Sequence, residues 1–211
     1  MWVAVTGSVG VCKNKVIEYL TTLKKYDHRS LGDPCKRLTR LSEELDWMGN
    51  RILLQQSFER DIDRANIVTN RSAWDSLMFV NVAYKLKEIS EEDYEAFRVV
   101  YDKFTQELTP PHMVIYLKSN YINATNRMQL QGESPNMDFV VALTKEYEEI
   151  MPWVRVPVIE IDVEERIDPV LEEVQYGLDN LSTTKLDLKS VWDRTFFKPG
   201  FITGGNSGEK D

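Results

Sequence analysis

The sequence has 211 residues, a formal net charge of −8 at pH 7, 42% hydrophobic residues and 28% charged residues. This length suits one domain with an appended tail, and the composition is ordinary for a globular protein in water. No apolar run approaches the roughly 20 residues that cross a bilayer, and the N-terminus has no basic segment ahead of an apolar one. We therefore expect no membrane span and no secretory signal. The negative charge disfavours loose binding to nucleic acid, although a local basic cleft would still permit it.

The cysteine and histidine content is low. Cys12 and Cys35 do not make a disulfide framework, which indicates a reducing, cytoplasmic setting, or the host cytoplasm if the chain is viral. With His28 and His112 also far apart in the chain, a zinc site is not expected.

The first element is an apolar strand, Trp2 to Thr6, followed by a turn with glycines and an amphipathic helix from Lys15 to Leu23. In phosphate-binding loops the N–H groups of such a turn surround a polyphosphate, and a lysine reaches its outer charges. The pattern predicts an ATP-binding loop made of Gly7, Ser8, Val9, Gly10, Val11, Cys12, Lys13 and Asn14. The alternative is an ordinary strand-to-helix turn that carries glycine and lysine.

This loop departs from the phosphate-loop pattern G-x-x-x-x-G-K-[ST] at two positions. Cys12 stands where glycine is expected, and Asn14 stands where a hydroxyl normally binds Mg²⁺, a task that a neutral amide performs poorly. Cys12 near a helix N-terminus could also be an oxidisable thiol, but a small packing residue is the simpler interpretation.

The next segments predict a helix and a second core strand. Residues 24–28 are predicted to be a polar connection, and 29–34 a short strand end followed by a turn. A helix is predicted from Cys35 to about Arg64, with one face formed by Leu38, Leu41, Leu45, Met48 and Ile52. The apolar run 66–69 predicts a strand that ends in Asn70-Arg71-Ser72, at the edge where open α/β sheets bind ligands.

Helices and strands continue to alternate in the second half. Helical spacing is found in 74–86 and again after a helix start at Ser90, where an aromatic stripe is expected in the core: Tyr94, Phe97, Tyr101 and Phe104. A strand at 112–117 precedes a polar stretch, 118–136, and a helix follows whose apolar face is Val140, Leu143, Tyr147 and Ile150.

The chain closes with a strand, a helix and a tail. In the strand 156–162, Pro157 indicates either a position at the sheet edge or the start of the strand, and Asp168-Pro169 opens a helix with Asp168 as its N-cap. After about residue 181 the pattern fades. We expect an α/β domain over 1–181, with a mainly parallel sheet flanked by helices, and a C-terminal extension over 182–211 whose last part is mobile. Aromatic residues near 192–197 are too apolar for an idle linker and are expected to pack on the domain or on a partner.

Four segments in this order resemble the P-loop nucleoside and nucleotide kinases, especially the deoxynucleoside kinases and their thymidylate kinase relatives. They are the Gly7–Asn14 loop, Asp33-Pro34, Asn70-Arg71-Ser72, and 126–133 with Arg127 followed by a helix. The resemblance covers residues 1–180 and implies ATP and Mg²⁺ as cofactors, a nucleoside-type acceptor and a lid segment.

The resemblance also implies roles for four residues in phosphoryl transfer, which depends on positioning and charge neutralisation. Lys13 would hold the donor phosphates, and Asp33 would position the attacking hydroxyl. Arg71 would steady phosphate or the acceptor, and Arg127 would be a lid arginine that closes over the transferring group. The alternatives are an Asp-Pro turn for Asp33, a strand-end salt bridge for Arg71 and a solvated loop arginine for Arg127. Asp75, one turn after Arg71, could orient it or bind through Mg²⁺-bound water; the alternative is a solvated or capping role.

The sequence departs from the family pattern at Cys12, Asn14, Asn70, where a carboxylate is usual, and Gln131, where a second lid arginine is usual. Two functions follow. The first is ATP-dependent transfer to a free deoxynucleoside, a monophosphate or a modified base in DNA, such as 5-hydroxymethyluracil in phage DNA. The second is a catalytically silent nucleotide-binding or regulatory protein. The sequence leaves the oligomeric state open.

Overall fold

The structure is a computed structural model that describes residues 1–29, 41–62, 64–163, 167–183 and 196–198. The described residues form five strands: β1 Trp2–Thr6, β2 Asp27–Arg29, β3 Ile67–Asn70, β4 Met113–Lys118 and β5 Val158–Asp162. They also form seven α-helices: α1 Lys13–Lys24, α2 Leu41–Phe58, α3 Asp75–Lys85, α4 Glu91–Thr105, α5 Tyr121–Leu130, α6 Met137–Ile150 and α7 Ile167–Thr183.

All five strands are parallel and lie in the order β2-β3-β1-β4-β5. The predicted α/β class is therefore confirmed. β5 lies at one edge and begins directly after Pro157, which has no N–H to donate to a neighbouring strand. Parallel pairing puts the carboxyl ends of all strands at the same side of the sheet, and the loop after β1 and the Asn70-Arg71-Ser72 segment after β3 meet there.

Both faces of the sheet are covered by helices. Trp2 and Ala4 of β1 face a core formed mainly by α2 to α6, whereas Val3 and Val5 face a second core formed with α1 and α7. The period of two along β1 explains why this strand is apolar throughout: every residue of it is buried.

Several predicted boundaries are wrong. Residues 27–28 belong to β2 rather than to a connection, because backbone pairing with β3 forms this short edge strand although its side chains are mostly exposed. Helix α2 ends at Phe58, not Arg64, and a 3-10 turn, Glu59–Asp61, follows it. Helix α7 begins at Ile167, one residue before the predicted N-cap Asp168.

The polar stretch 118–136 contains a helix that the sequence analysis missed. Asn120 caps α5 by accepting a hydrogen bond from the Asn123 N–H at 2.8 Å. Ala124 and Met128, four residues apart, are its buried contacts, and this short apolar pair was the available signal.

The buried faces of two other helices also differ from prediction. Three residues of the predicted stripe on α4 are buried, but Phe104 is 48% exposed. On α2 the buried face runs through Glu44, Met48, Arg51 and Gln55, so Leu41 and Leu45 lie at its margin. Charged residues therefore occupy positions that an apolar periodicity search passes over.

Part of the C-terminal region packs on the domain. Phe196 is buried and stacks on Trp74 with ring centroids 4.5 Å apart, and Phe197 pairs with Val154 in an antiparallel bridge. Trp192 and the predicted mobile tail lie outside the described residues.

Candidate active site

The loop after β1 has the backbone geometry of a glycine-dependent turn. Gly7 has φ +134°, and a Cβ there would lie 2.3 Å from the Leu117 carbonyl oxygen. Gly10 has φ +69°, and its Cβ would lie 2.4 Å from the Ala124 carbonyl oxygen. Both positions exclude any other residue, because the obstructing atoms are backbone.

Some side chains of the loop are buried in the core, and others are not. Val9 and Val11 are buried in the two opposite cores, so only their backbone could contact a cofactor. Cys12 is the N-cap of α1, has a left-handed backbone (φ 61°) and makes no capping hydrogen bond with its side chain. The N–H groups of the first turn of α1 thus have no side-chain cap, and with the helix dipole they favour an anion. Asn14 is exposed.

Three of the four predicted catalytic residues converge on carbonyl oxygens of this loop. Lys13 is buried, and its Nζ donates to the Ser8 carbonyl at 2.7 Å and approaches that of Gly7 at 3.5 Å. Arg71 Nη1 donates to the Gly7 carbonyl at 2.8 Å. Arg127 Nη1 donates to the Gly10 carbonyl at 3.2 Å. The fourth, Asp33, lies outside the described residues.

Arg127 contacts the loops that follow three strands. Besides Gly10 after β1, it donates to Ser119 Oγ after β4 at 3.0 Å and to the Val163 carbonyl after β5 at 2.8 Å. It lies on α5, before Gln131. These contacts tie the phosphate loop to its neighbours, and a role over the transferring phosphoryl group stays a prediction.

Arg71 is held by a buried network. Its backbone is left-handed, φ 67°, a conformation that costs a non-glycine residue about 1–2 kcal/mol. Its guanidinium forms an ion pair with Asp75 at 3.7 Å and donates to the hydroxyl of Tyr147 on α6. Such strain persists where the surroundings impose it, which is common at functional sites.

Asp75 orients this network and is not solvated. Its Oδ2 accepts from the Ser72 N–H and Oγ, both at 2.8 Å, and its Oδ1 accepts from Tyr147 at 2.7 Å and from the Thr6 hydroxyl. All of this carboxylate's principal acceptor positions are thus used by protein donors.

A second charged pair lies beside the first on α2. Arg51 Nη1 donates to Glu44 Oε1 at 3.0 Å and to Ser76 Oγ at 2.5 Å. Both residues are buried, Glu44 completely. Burial raises the pKa of the Glu44 carboxyl above its usual range, although Arg51 and the Ser76 hydroxyl oppose that shift. The sequence analysis missed this pair. The pattern that could have indicated it is two opposite charges, two helical turns apart, on the buried face of a helix.

The cleft next to this pair is polar. It lies between α2 and β3, and its polar lining includes Arg29, Arg51, Gln55, Asn70 and Arg71. Among the described residues, four buried atoms near it have no hydrogen-bond partner: Glu44 Oε2, Arg51 Nη2, Gln55 Oε1 and Asn70 Oδ1.

The described residues do not offer a carboxylate site for Mg²⁺. Asn14 and Asn70 supply neutral amide oxygens, and Asp75 is occupied by protein donors. No group of three or more metal-ligating side chains occurs within the described ranges. Mg²⁺ prefers carboxylates and substrate phosphates, so the donor set does not fit a metal bound by the protein itself.

The parallel sheet and its basic loop define the class as a P-loop kinase fold. A sequence profile for deoxynucleoside kinases matches residues 45–177, more than half of the chain. The chain belongs to the deoxynucleoside kinase family. The matched range does not include the phosphate loop, and that loop is the segment in which Cys12 and Asn14 depart from the expected pattern. No curated protein sequence matches the chain.

Solved structures of a deoxyadenosine kinase from M. mycoides share the fold. One, with the products dCMP and a flexible dCDP, has a TM-score of 0.71 at 19% identity and covers 85% of this chain and 100% of that chain. Another, with bound dATP, has a TM-score of 0.67 at 20% identity with the same coverage. Among the described residues, no helix is long and apolar enough to cross a bilayer.

Proposed function

We propose that the protein transfers the γ-phosphoryl group of ATP to a deoxynucleoside. The observation that carries this proposal is the convergence of Lys13, Arg71 and Arg127 on the phosphate loop of a chain whose net charge is −8. Concentrating cations on one loop against the overall charge favours a polyanionic ligand there. Family membership supports nucleoside phosphorylation as the reaction.

The donor side would bind the triphosphate through backbone groups. N–H groups of the loop and of the first turn of α1 would contact the β- and γ-phosphates, and Lys13 would exchange the Ser8 carbonyl for a phosphate oxygen. Arg71 would donate hydrogen bonds that steady a phosphate oxygen or the acceptor. Asp33 as the group that positions the attacking hydroxyl remains part of this proposal.

The acceptor side favours a neutral ligand. Arg51 and Arg71 line the cleft but are already paired with Glu44 and Asp75, so the cleft does not need a further anion for charge balance. A buried polar atom without a partner is costly, and a ligand that supplies the missing hydrogen bond recovers that free energy. The base and sugar of a nucleoside carry neutral donors and acceptors for Arg51, Gln55 and Asn70.

The other two acceptors rank below the free deoxynucleoside. A deoxynucleoside monophosphate would bring a charge that the paired arginines do not require. A 5-hydroxymethyluracil base in phage DNA would bring many phosphates toward an acidic protein.

The test compares two lysines of α1. Lys13→Ala should abolish turnover while leaving the thermal midpoint nearly unchanged. Lys15→Ala is the matched control, because Lys15 is exposed and its ion pair among the described residues is with exposed Glu18 at 3.2 Å. Turnover is measured with ATP and a panel of deoxynucleosides, their monophosphates and modified DNA. Equal turnover in the two variants contradicts the donor-site assignment.

A catalytically silent nucleotide-binding protein is the second candidate. The side chains available to bind Mg²⁺ favour this second candidate, because Asn14 and Asn70 replace the usual hydroxyl and carboxylate. Calorimetry with ATP, with and without Mg²⁺, separates the two: binding without turnover of any acceptor supports the silent protein, and metal-dependent binding with turnover supports the kinase.

A further inference from the structure

Tyr147 has a polar role that core packing does not explain. It lies on the apolar face of α6 and is fully buried, as the helical spacing predicts. Its hydroxyl nevertheless accepts a hydrogen bond from Arg71 Nη1 and donates one to Asp75 Oδ1 at 2.7 Å. A phenylalanine would fill the same space without these bonds.

The Arg71 guanidinium makes hydrogen bonds, an ion pair and a ring contact with described residues. Nη1 is shared between the Gly7 carbonyl and the Tyr147 hydroxyl, and Asp75 supplies the counter-charge. The guanidinium also stacks on the Phe79 ring, with Cζ 4.7 Å from the ring centroid. Stacking permits sliding in the ring plane, whereas hydrogen bonds fix direction. The Tyr147 hydroxyl is therefore one of the groups that fix where Arg71 points, and it also binds the counter-ion Asp75.

Helix α6 also reaches the phosphate loop directly. One turn before Tyr147, the Thr144 hydroxyl donates to the Val140 carbonyl at 2.8 Å and accepts a hydrogen bond from the Ser8 hydroxyl at 3.2 Å. Thr144 and Tyr147 lie three residues apart, on one helix face. Since α6 directly follows the 131–136 segment, one rigid helix links that segment, the donor loop and the acceptor-side arginine.

We propose that Tyr147 is a positioning residue for phosphoryl transfer, whose hydroxyl holds Arg71 between the phosphate loop and the acceptor. This inference rests on the proposed function, in which Arg71 contacts the transferring group or the acceptor. Misplacing a group by about 1 Å can cost about a hundredfold in rate.

The hydroxyl acts as a fixed hydrogen-bonding group, accepting from Arg71 and donating to Asp75, and not as an acid or a base. Burial raises the pKa of the Tyr147 phenol well above its usual value, so the proton stays on its oxygen at neutral pH. Removing the hydroxyl should therefore lower the rate without changing the shape of the pH–rate profile.

The experiment compares Tyr147→Phe with Tyr101→Phe. Tyr101 is equally buried and its hydroxyl donates to the Trp74 carbonyl at 3.3 Å, without contacting Arg71. We expect kcat of Tyr147→Phe to fall about tenfold to a hundredfold, with KM for ATP within about twofold. Tyr101→Phe should keep the kcat of the native chain. Tyr147→Phe should lose more thermal stability than Tyr101→Phe, because its hydroxyl binds two buried charged groups. Equal kcat in the two variants overturns the inference.

Failure of the proposed function gives a different result. If the native chain binds ATP but phosphorylates no acceptor, the two variants are compared by calorimetry with deoxynucleosides. At least tenfold weaker binding by Tyr147→Phe alone supports the positioning role, and equal affinities overturn it. No deoxynucleoside binding by the native chain overturns both proposals.

Discussion

The proposed donor and acceptor sides of the site differ in what they are built from. The donor loop depends on backbone: two glycines with positive φ pack against the carbonyls of Leu117 and Ala124. The acceptor side depends on buried side chains, with two ion pairs and a tyrosine joined by hydrogen bonds. The donor loop therefore accommodates the changes at Cys12 and Asn14, whereas the acceptor side should tolerate few side-chain changes.

The largest effect is expected on the acceptor side. Arg51→Met leaves the Glu44 carboxylate buried without its ion pair, which should lower the free energy of unfolding by about 3–5 kcal/mol. Lys118→Met is the control, because its pair with Glu160 is solvent-exposed and should change stability by about 1 kcal/mol or less. Urea denaturation measures both variants, and similar losses would show that burial does not matter here.

Gly10→Ala tests the backbone dependence of the donor loop. The new Cβ would meet the Ala124 carbonyl in a left-handed conformation, so overpacking and strain should together cost about 2–5 kcal/mol. Gly132→Ala separates the two costs, since Gly132 has φ +80° but no atom within 4 Å of the added Cβ. Only the strain of about 1–2 kcal/mol is expected there. Equal losses in the two variants would contradict the close packing of Gly10.

The charge of Glu44 should make stability depend on pH. Because burial raises the folded-state pKa above the ordinary value of 4.5, the unfolded chain releases this proton first as pH rises. The free energy of unfolding of the native chain should then fall relative to that of Glu44→Gln, by up to about 1.4 kcal/mol per pH unit between those two pKa values. Urea denaturation of both chains from pH 4 upward, near that ordinary pKa, measures the difference. A difference that stays constant or rises would mean that the pair with Arg51 outweighs burial.

The smallest effect is a gain on the donor side. Cys12→Gly relieves a left-handed backbone, φ 61°, and should raise the free energy of unfolding by about 0.5–1 kcal/mol. Together with Asn14→Ser, it should also raise ATP affinity in calorimetry. Lys25→Gly matches the strain, φ 57°, at the other end of α1, so it should give the same stability gain without a change in affinity. If Lys25→Gly raised ATP affinity as much as the Cys12→Gly, Asn14→Ser variant, the gain would come from stabilising α1 and not from the loop.

Local patterns predicted most of the fold. Apolar runs located β1, β3, β4 and β5, and spacing of three and four located most helices, because burial of one face selects these periods. The failures have local causes. The strand β2 has few buried side chains, and α5 presents only a short apolar contact to the domain.

The site was predicted only in part. Lys13, Arg71 and Arg127 stood out through a motif, and the structure brings them to one loop. Glu44 and Arg51 did not, since charged residues on a helix are usually solvated. Tyr147 was assigned to the core, where it does lie, but the partner of a buried hydroxyl cannot be read from helical spacing.

The sequence by itself determined the alternation of strands and helices, the glycine turn after the first strand and the basic residues that follow strands, because these depend on neighbours along the chain. The tertiary structure alone decided which charges are buried, which partners they have and how α6 joins the donor loop to Arg71. Those contacts span up to 136 residues of chain, and only the packing of the parallel sheet and its helices brings them together.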